Sequence, residues 1–303
     1  MALKHIKLKI QSVKKTSTVT RAMEAVSAVK MRKAQERALG GRAYAAAALT
    51  ILERLSGAQE IKTHPLAQKK DGKTLVVLIT SDKGLAGALN SNVIRTTERE
   101  MEARGLTTEN TIMIALGRRG GDYFLNRGYA VRAKHENVSD SISEEEMRFV
   151  TDAILEMHAK GEITAALIAY MNFLSTFEQK AVVRQILPLT AELIHEMVAG
   201  IVPAKGKYAG IGKSEKHANT YTIEPDAAAI IKVLMPRLLN IAVYHGLLEA
   251  KASEHSARMV AMKSATDKAK ELARDLTRKF NKVRQAAITR EVSEITSGIE
   301  AMK

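Results

Sequence analysis

The sequence of 303 residues holds no cysteine, no tryptophan, five prolines and only 4% aromatic residues. Without cysteine there can be no disulfide scaffold, thiolate metal site, iron–sulfur cluster or cysteine nucleophile. No stretch approaches the roughly 18 uninterrupted apolar residues of a membrane-spanning helix. The start, Met1-Ala-Leu-Lys-His-Ile-Lys-Leu-Lys-Ile10, lacks the apolar core of a signal peptide, so a soluble protein on the cytoplasmic side is expected. Pro65, Pro188, Pro203, Pro225 and Pro236 confine the strongest helix breaker to the middle of the chain and leave both ends free of it.

Signatures of familiar chemistry are missing as well. Neither Gly84-Leu-Ala-Gly87 nor Gly117-Arg-Arg-Gly120-Gly121 completes the G-x-G-x-x-G pattern that lets a backbone approach a pyrophosphate. The segment from Gly206 to Gly212, followed by Lys213-Ser214, has one residue too many for a Walker A loop, with no strand before it and no helix after it. His195-Glu196 lacks a second histidine four residues after the first, and no G-x-S-x-G elbow occurs. No catalytic residue, metal ligand or cofactor-binding residue is therefore assigned.

What the chain does have is positive charge and helix-forming sequence. Its 47 Lys and Arg against 33 Asp and Glu give a formal charge of +14. Residues 1–60 carry 12 basic and 4 acidic residues and residues 225–303 carry 14 and 9, whereas the middle is almost balanced. The ends would therefore attract an acidic partner, whether nucleic acid, anionic membrane or acidic protein. From Arg237 to Ser297 only Gly246 interrupts a run of good helix formers, which as one helix would be about 90 Å long. Its apolar residues Ile231, Leu234, Leu238, Ile241, Leu248, Met259, Met262, Leu276, Phe280, Val283 and Ala287 recur mostly at steps of three and four. At the other end Ile6, Ile10, Val13, Val19, Met23 and Val26, then Leu49, Leu52 and Leu55, predict a second long helix, with a bend allowed at Gly40-Gly41. Stripes this narrow need a partner, and two in one chain pair most economically with each other as an antiparallel coiled coil. Two separate intermolecular coiled coils are the alternative.

The middle alternates. Apolar runs Thr74–Thr80, Thr111–Leu116, Ile163–Tyr170 and Glu178–Leu187 read as strands. Helical spacing follows at Asn90–Arg104, after Gly117–Gly121, and from the capping box Ser143-Glu-Glu-Glu146 to about Lys160. Together these predict an α/β Rossmann-like domain with a mainly parallel sheet, inserted between the two long terminal helices. The expected domains are 1–60 for the N-terminal helix, 72–200 for the α/β domain, 201–221 for a Gly- and Lys-rich linker, and 222–303 for the C-terminal helix.

Two helical segments depart from a plain seam. Thr16-Ser-Thr-Val-Thr20 places small hydroxylated residues where leucine is expected, next to Arg21, Met23, Lys30, Met31, Arg32 and Lys33. Near the other end, Arg284-Gln-Ala-Ala-Ile-Thr-Arg-Glu-Val-Ser-Glu-Ile295 combines polar groups with the apolar row Ile288, Val292, Ile295 and Ile299. If the helices pair from Pro236 onward, that row lies beyond the reach of the shorter partner and needs cover from another chain.

At these residues the chain resembles the gamma subunit of F-type ATP synthases, the central rotor stalk. The resemblance spans nearly the whole chain. It rests on Ile10-Gln-Ser-Val-Lys-Lys-Thr16, Arg21-Ala-Met-Glu-Ala-Val26, Lys30-Met-Arg-Lys-Ala-Gln35, the segment Thr80 to Asn92, the segment Glu249 to Asp267 and Asn281-Lys-Val-Arg-Gln-Ala-Ala-Ile-Thr-Arg-Glu291. Ala86 stands where the family usually has cysteine and Leu89 where phenylalanine is common, and no cysteine pair occurs between 190 and 225. The resemblance implies a non-catalytic stalk without a cofactor, present once per complex and turning inside a hexamer of alpha and beta subunits. It also implies contact with an epsilon subunit and a proton-driven membrane ring of c subunits, at the cytoplasmic face of a bacterial inner membrane. By similarity Met23 and Arg258 face an acidic loop of the beta subunits, Arg284, Gln285 and Thr289 make a polar contact higher in the head, and Tyr221 and Glu224 lie at the foot. The row Ile288, Val292, Ile295 and Ile299 would turn in an apolar sleeve. A basic coiled coil that binds nucleic acid is the alternative, although Tyr44 is the single aromatic of residues 1–60 and offers little for base stacking.

Overall fold

The computed structural model of the chain describes residues 2–55, 59–68, 71–190, 192–194, 196–197 and 226–302. These form two compact units, one of residues 1–28 with 258–303 and one of residues 29–257. Both terminal helices, α1 (Ala2–Leu55) and α6 (Ala227–Glu300), contribute to each unit, and a short α2 (Gln59–Thr63) follows α1. The 201–221 segment and the Gly206–Ser214 loop lie outside the described residues, as do His195, Tyr221 and Glu224.

The larger unit is built on β1 (Lys73–Ile79), β2 (Thr111–Leu116), β3 (Ala130–His135), β4 (Ile163–Phe173) and β5 (Gln179–Leu187). They form one sheet in the order β3-β2-β1-β4-β5, parallel except for β5, which returns antiparallel to β4. Central β1 is apolar on both sides because both faces are covered. Leu75, Val77 and Ile79 share one core with α5 (Arg148–Ala159) and with Ile231, Leu238 and Ile241 of α6. Val76 and Leu78 point the other way, into a core with Leu89, Val93 and Met101 of α3 (Leu89–Ala103) and Phe124 of α4 (Arg118–Leu125).

Three features differ from the sequence-based expectation, each for a physical reason. Strand β3 carries no apolar run because it is a sheet edge; Lys134 on it pairs with Asp122 at 2.8 Å and Glu136 at 2.9 Å instead. The capping box does form, with Ser143 N–H donating to Glu146 Oε2 at 2.7 Å and Glu146 N–H to Ser143 Oγ at 3.2 Å. It closes a turn, however, and α5 begins only at Arg148. Helix α6 starts at Ala227 and runs through Pro236. A proline inside a helix costs about 3 kcal/mol, whereas each fully buried Ile, Leu or Met returns roughly 1.5–3 kcal/mol. Ile231, Met235, Leu238 and Leu239 are all at most 1% exposed around it, so burial on the sheet wins. The early part of the expected seam is thus sheet core, which also accounts for the apolar 18-residue window of α6, with mean hydropathy 1.3 and 44% of it buried. As expected of one long helix, α1 continues as helix through Gly40-Gly41.

In the smaller unit, buried and half-buried positions on α1 run Leu3, Ile6, Ile10, Val13, Ser17, Thr20, Glu24 and Ser27, alternating steps of three and four. On α6 the same alternation runs Met262, Thr266, Ala269, Ala273, Leu276, Phe280, Val283 and Ala287. The row on α1 passes through Thr20 and Ser27, while Val19 and Val26, expected in the stripe, are 58% and 57% exposed. Heptad continuity fixes the row, and hydroxyls are tolerated because Thr20 and Thr266 satisfy each other across it at 2.6 Å.

Gly117 supplies the tightest approach in the sheet unit. Its φ is +100°, and a Cβ there would lie 2.0 Å from the Thr80 carbonyl oxygen. Gly117→Ala is therefore expected to lower unfolding free energy by more than about 2 kcal/mol. Gly128→Ala, with φ +83° and open space around it, should cost only about 1 kcal/mol, and urea titration of both variants isolates the clash.

Candidate functional site

In an α/β sheet, ligands bind beyond the carboxyl ends of the strands where the strand order reverses, here between β1 and β4. In this chain that place is filled by the chain itself. The first three N–H groups of α4, the donors a phosphate would need, are already engaged. Arg118 donates to Asp82 Oδ1 at 3.0 Å, Arg119 to the Ser81 carbonyl at 3.2 Å and Gly120 to Thr80 Oγ1 at 2.9 Å. The glycines at 117, 120 and 121 allow close packing of the helix on the sheet, which is why they resembled half of a phosphate loop.

At the end of β4, α6 lies directly over the strand. Glu249 Oε2 accepts the Phe173 N–H at 3.0 Å, Ser253 Oγ donates to the Met171 carbonyl at 3.0 Å and Ser256 Oγ donates to the Thr176 carbonyl at 2.5 Å. The space left among Thr80, Ser81, Leu89, Met171, Lys251 and Glu254 is about 10 Å³, too small for any nucleotide. Among the described residues no group of three His, Asp or Glu is placed to hold a metal ion.

Groups facing outward are found instead on the smaller unit. Ile288, Val292, Ile295 and Ile299 are 51%, 56%, 64% and 54% exposed along the last turns of α6. Arg284 and Gln285 are exposed beside them, and the exposed Thr289 donates its hydroxyl to the Gln285 carbonyl at 3.0 Å. Met23 is half-buried on α1, whereas Arg258 is buried, 9% exposed. The structure thus brings Arg284, Gln285, Ile288, Thr289, Val292, Ile295 and Ile299 onto one exposed helical end and leaves Met23 and Arg258 apart from it. Sequence reading missed a basic groove of roughly 650 Å³ lined by Lys14, Ser17, Thr18, Lys270, Arg274 and Arg278. Its signal was the i, i+4, i+8 spacing of the last three.

Sequence reading also missed Asp140, on the loop between β3 and α5. Lys30 Nζ of α1 lies 2.8 Å from its Oδ2, while His255 Nε2 and Lys251 Nζ of α6 lie 3.1 and 3.5 Å from its Oδ1. Arg37 Nη1 donates to its carbonyl oxygen. No local motif marks Asp140, because its partners are more than 100 residues away in sequence on either side. The His255 contact first, then Lys30 and Lys251, hold its carboxyl well below the usual carboxylate range against the opposing effect of burial. A carboxylate whose folded pKa lies below its unfolded value binds its proton more readily when unfolded, so its contribution is present above the unfolded pKa and is lost as pH falls. The difference in thermal stability between the parent chain and Asp140→Asn should therefore shrink as pH is lowered from about 5 to about 3.

Comparison with known proteins agrees with this geometry. The family model described as ATP synthase matches residues 2–302. The ATP synthase gamma chain of Chlorobium luteolum is 39% identical over 99% of both chains, and that of Polaromonas naphthalenivorans is 40% identical over 99% of both. Among solved structures, a chain of the Euglena gracilis mitochondrial ATP synthase OSCP/F1/c-ring assembly shares the fold with a TM-score of 0.64 at 18% identity, covering 99% of this chain and 94% of that one. A chain of the Tetrahymena thermophila mitochondrial ATP synthase central stalk and c-ring does so at 0.54 and 21%, covering 82% and 99%. None of these relatives lends support to a nucleic-acid-binding reading. By the match along its length and by these relatives, the chain belongs to the ATP synthase gamma chain family.

Proposed function

We propose that the chain is the central stalk of a rotary ATP synthase, turning inside a ring of alpha and beta subunits whose beta subunits carry the catalytic sites. The observation that carries this reading is the exposed apolar row Ile288, Val292, Ile295 and Ile299 at the end of a long helix. Apolar contact has no preferred direction, so a shaft end of this kind can turn in an apolar sleeve without breaking hydrogen bonds as its angle changes. A strand-end crevice closed by the chain's own groups fits a mechanical role better than a chemical one.

In this reading the terminal helices form an antiparallel coiled coil flanking a Rossmann-like insertion, with boundaries near 1–60, 72–200, 201–221 and 222–303. The alternating burial rows support the coiled coil, as does the Thr20–Thr266 contact. The basic groove supports the direction, since Lys14 to Thr18 share it with Lys270 to Arg278 and lower numbers on one helix meet higher numbers on the other. Met23 and Arg258 are assigned to the height of an acidic beta-subunit loop. Arg284, Gln285 and Thr289 are assigned to the head, and Tyr221 and Glu224 to the foot near the epsilon subunit and the c ring. The stalk is present once per complex at the cytoplasmic face of a bacterial inner membrane, and no nucleic acid takes part.

Isolation of the tagged chain under gentle conditions should yield a particle of several hundred kilodaltons with ATP hydrolysis that the purified chain lacks. Recovery alone or on nucleic acid, with no ATPase partner after mild crosslinking, would overturn the reading. Replacing Val292 and Ile295 with Asp tests the sleeve. On the free chain both sites are exposed, so unfolding should change by no more than about 0.5 kcal/mol each. Inside an apolar sleeve a carboxylate costs several kcal/mol, so ATPase recovery or coupling should fall sharply.

A further inference from the structure

The contacts of Asp140 do more than stabilise a loop. Lys30 and Arg37 belong to α1, Lys251 and His255 belong to α6, and Asp140 belongs to the segment that enters α5 from the sheet. One residue therefore holds three separate parts of the larger unit. Its loop is also fastened to α6 along its length. Lys251 Nζ donates to the Val138 carbonyl at 2.8 Å, Tyr244 Oη to the Ile142 carbonyl at 3.2 Å and Asn240 Nδ2 to the Glu144 carbonyl at 3.2 Å. Asn240 Oδ1 accepts the Thr151 hydroxyl of α5 at 2.9 Å, inside the core.

The position along the chain matters. Lys30 is the second residue of the larger unit on α1 and His255 is the third from its end on α6. The contact thus stands where both helices leave the sheet unit. Apolar packing of a helix against its neighbours resists separation but, being non-directional, resists sliding and twisting less. A carboxylate that accepts from Lys30 Nζ at 2.8 Å on one oxygen, with the buried His255 imidazole 3.1 Å from the other, is held in one place and resists both. Without the negative charge, the lysines of α1 and α6 would face each other with like charge across the joint.

We propose that Asp140 is the pin that fixes both terminal helices to the sheet unit, so that twist carried along the helices reaches that unit undiminished. Asp140 is a positioning residue, and the proposal rests on the rotor reading above. The α6 side of the pin is the firmer one. His255 and Lys251 side chains are 5% and 16% exposed, against 50% for Lys30, whose contact salt can screen.

The test uses the full chain and the assembled ATPase. Asp140→Asn keeps the side-chain shape and removes the charge; Lys30→Gln cuts only the arm to α1 and leaves the buried groups untouched. In the free chain, amide exchange of residues 29–37 should become about ten-fold faster in both variants, and that of residues 138–144 in Asp140→Asn alone. In the assembled enzyme, ion pumping per ATP hydrolysed should fall about two-fold or more in Asp140→Asn while hydrolysis continues. Because the parent chain lacks cysteine, Lys30→Cys combined with Asp140→Cys gives two unique thiols for a short bifunctional thiol reagent. Bridging them before assembly should restore coupling, which a merely destabilising substitution would not allow. Unchanged exchange in both variants, or coupling equal to the parent in Asp140→Asn, or lost coupling that bridging fails to restore, would each overturn the proposal. A parent chain that joins no ATPase would defeat the rotor reading instead, and the exchange result would still decide whether Asp140 holds the helices.

Discussion

A helix of 74 residues has to bury one side along most of its length, and α6 meets that requirement by changing what it packs against as it proceeds. Its first turns close one face of a sheet, with Ile231, Leu238, Ile241 and Leu247 in the core. From Met262 onward a narrower row recurs at steps of three and four. The row Leu238, Ile241, His245, Leu248, Ala252, His255, Met259 and Met262 keeps those same steps through both surroundings, and the buried face narrows along it. The narrowing falls where polar groups are plentiful: Glu249, Ser253 and Ser256 are buried around it and make directed contacts. That stretch also carries much of the sequence by which the family resemblance was recognised, from Glu249 to Asp267.

The same stretch closes the place at which an α/β sheet of this kind takes a ligand. Strand order and parallel direction create the crevice in which such folds bind ligands, and α6 occupies it. The glycine-rich entry to α4 completes the closure, because its N–H groups are matched by Thr80, Ser81 and Asp82. What other sheets offer to a cofactor, this one uses to seat a helix. Fold and function part company at the level of individual donors and acceptors.

Much of the architecture was legible in the sequence because burial imposes patterns. Strands β1, β2 and β4 are covered on both faces and read as unbroken apolar runs, and helices α3 and α4 followed their glycine-containing turns. Strand β3 was invisible for the complementary reason: an edge strand with Arg132, Lys134 and His135 has no apolar signature. Val19 and Val26 misled because apolar character was weighed above heptad spacing, whereas Ser17, Thr20 and Ser27 keep the spacing and lie inward. The apolar row from Ile288 to Ile299 was readable because helical spacing and chain length together leave it uncovered. Asp140 was not, since nothing local announces that one carboxylate will meet residues from both ends of the chain.

The exposed end of α6 also bears on how the chain behaves before it has partners. Four branched aliphatic side chains, each more than half exposed, recur along one side of a helix end on which Arg290 and Glu294 pair with each other. Such a stripe is as complementary to its own copy as to any sleeve, and contact between copies rises with the square of their concentration. A chain made in excess of its partners would associate tip to tip. Solubility in the cell thus becomes a matter of supply: the partners that give the tip its working surroundings also keep it from its own kind.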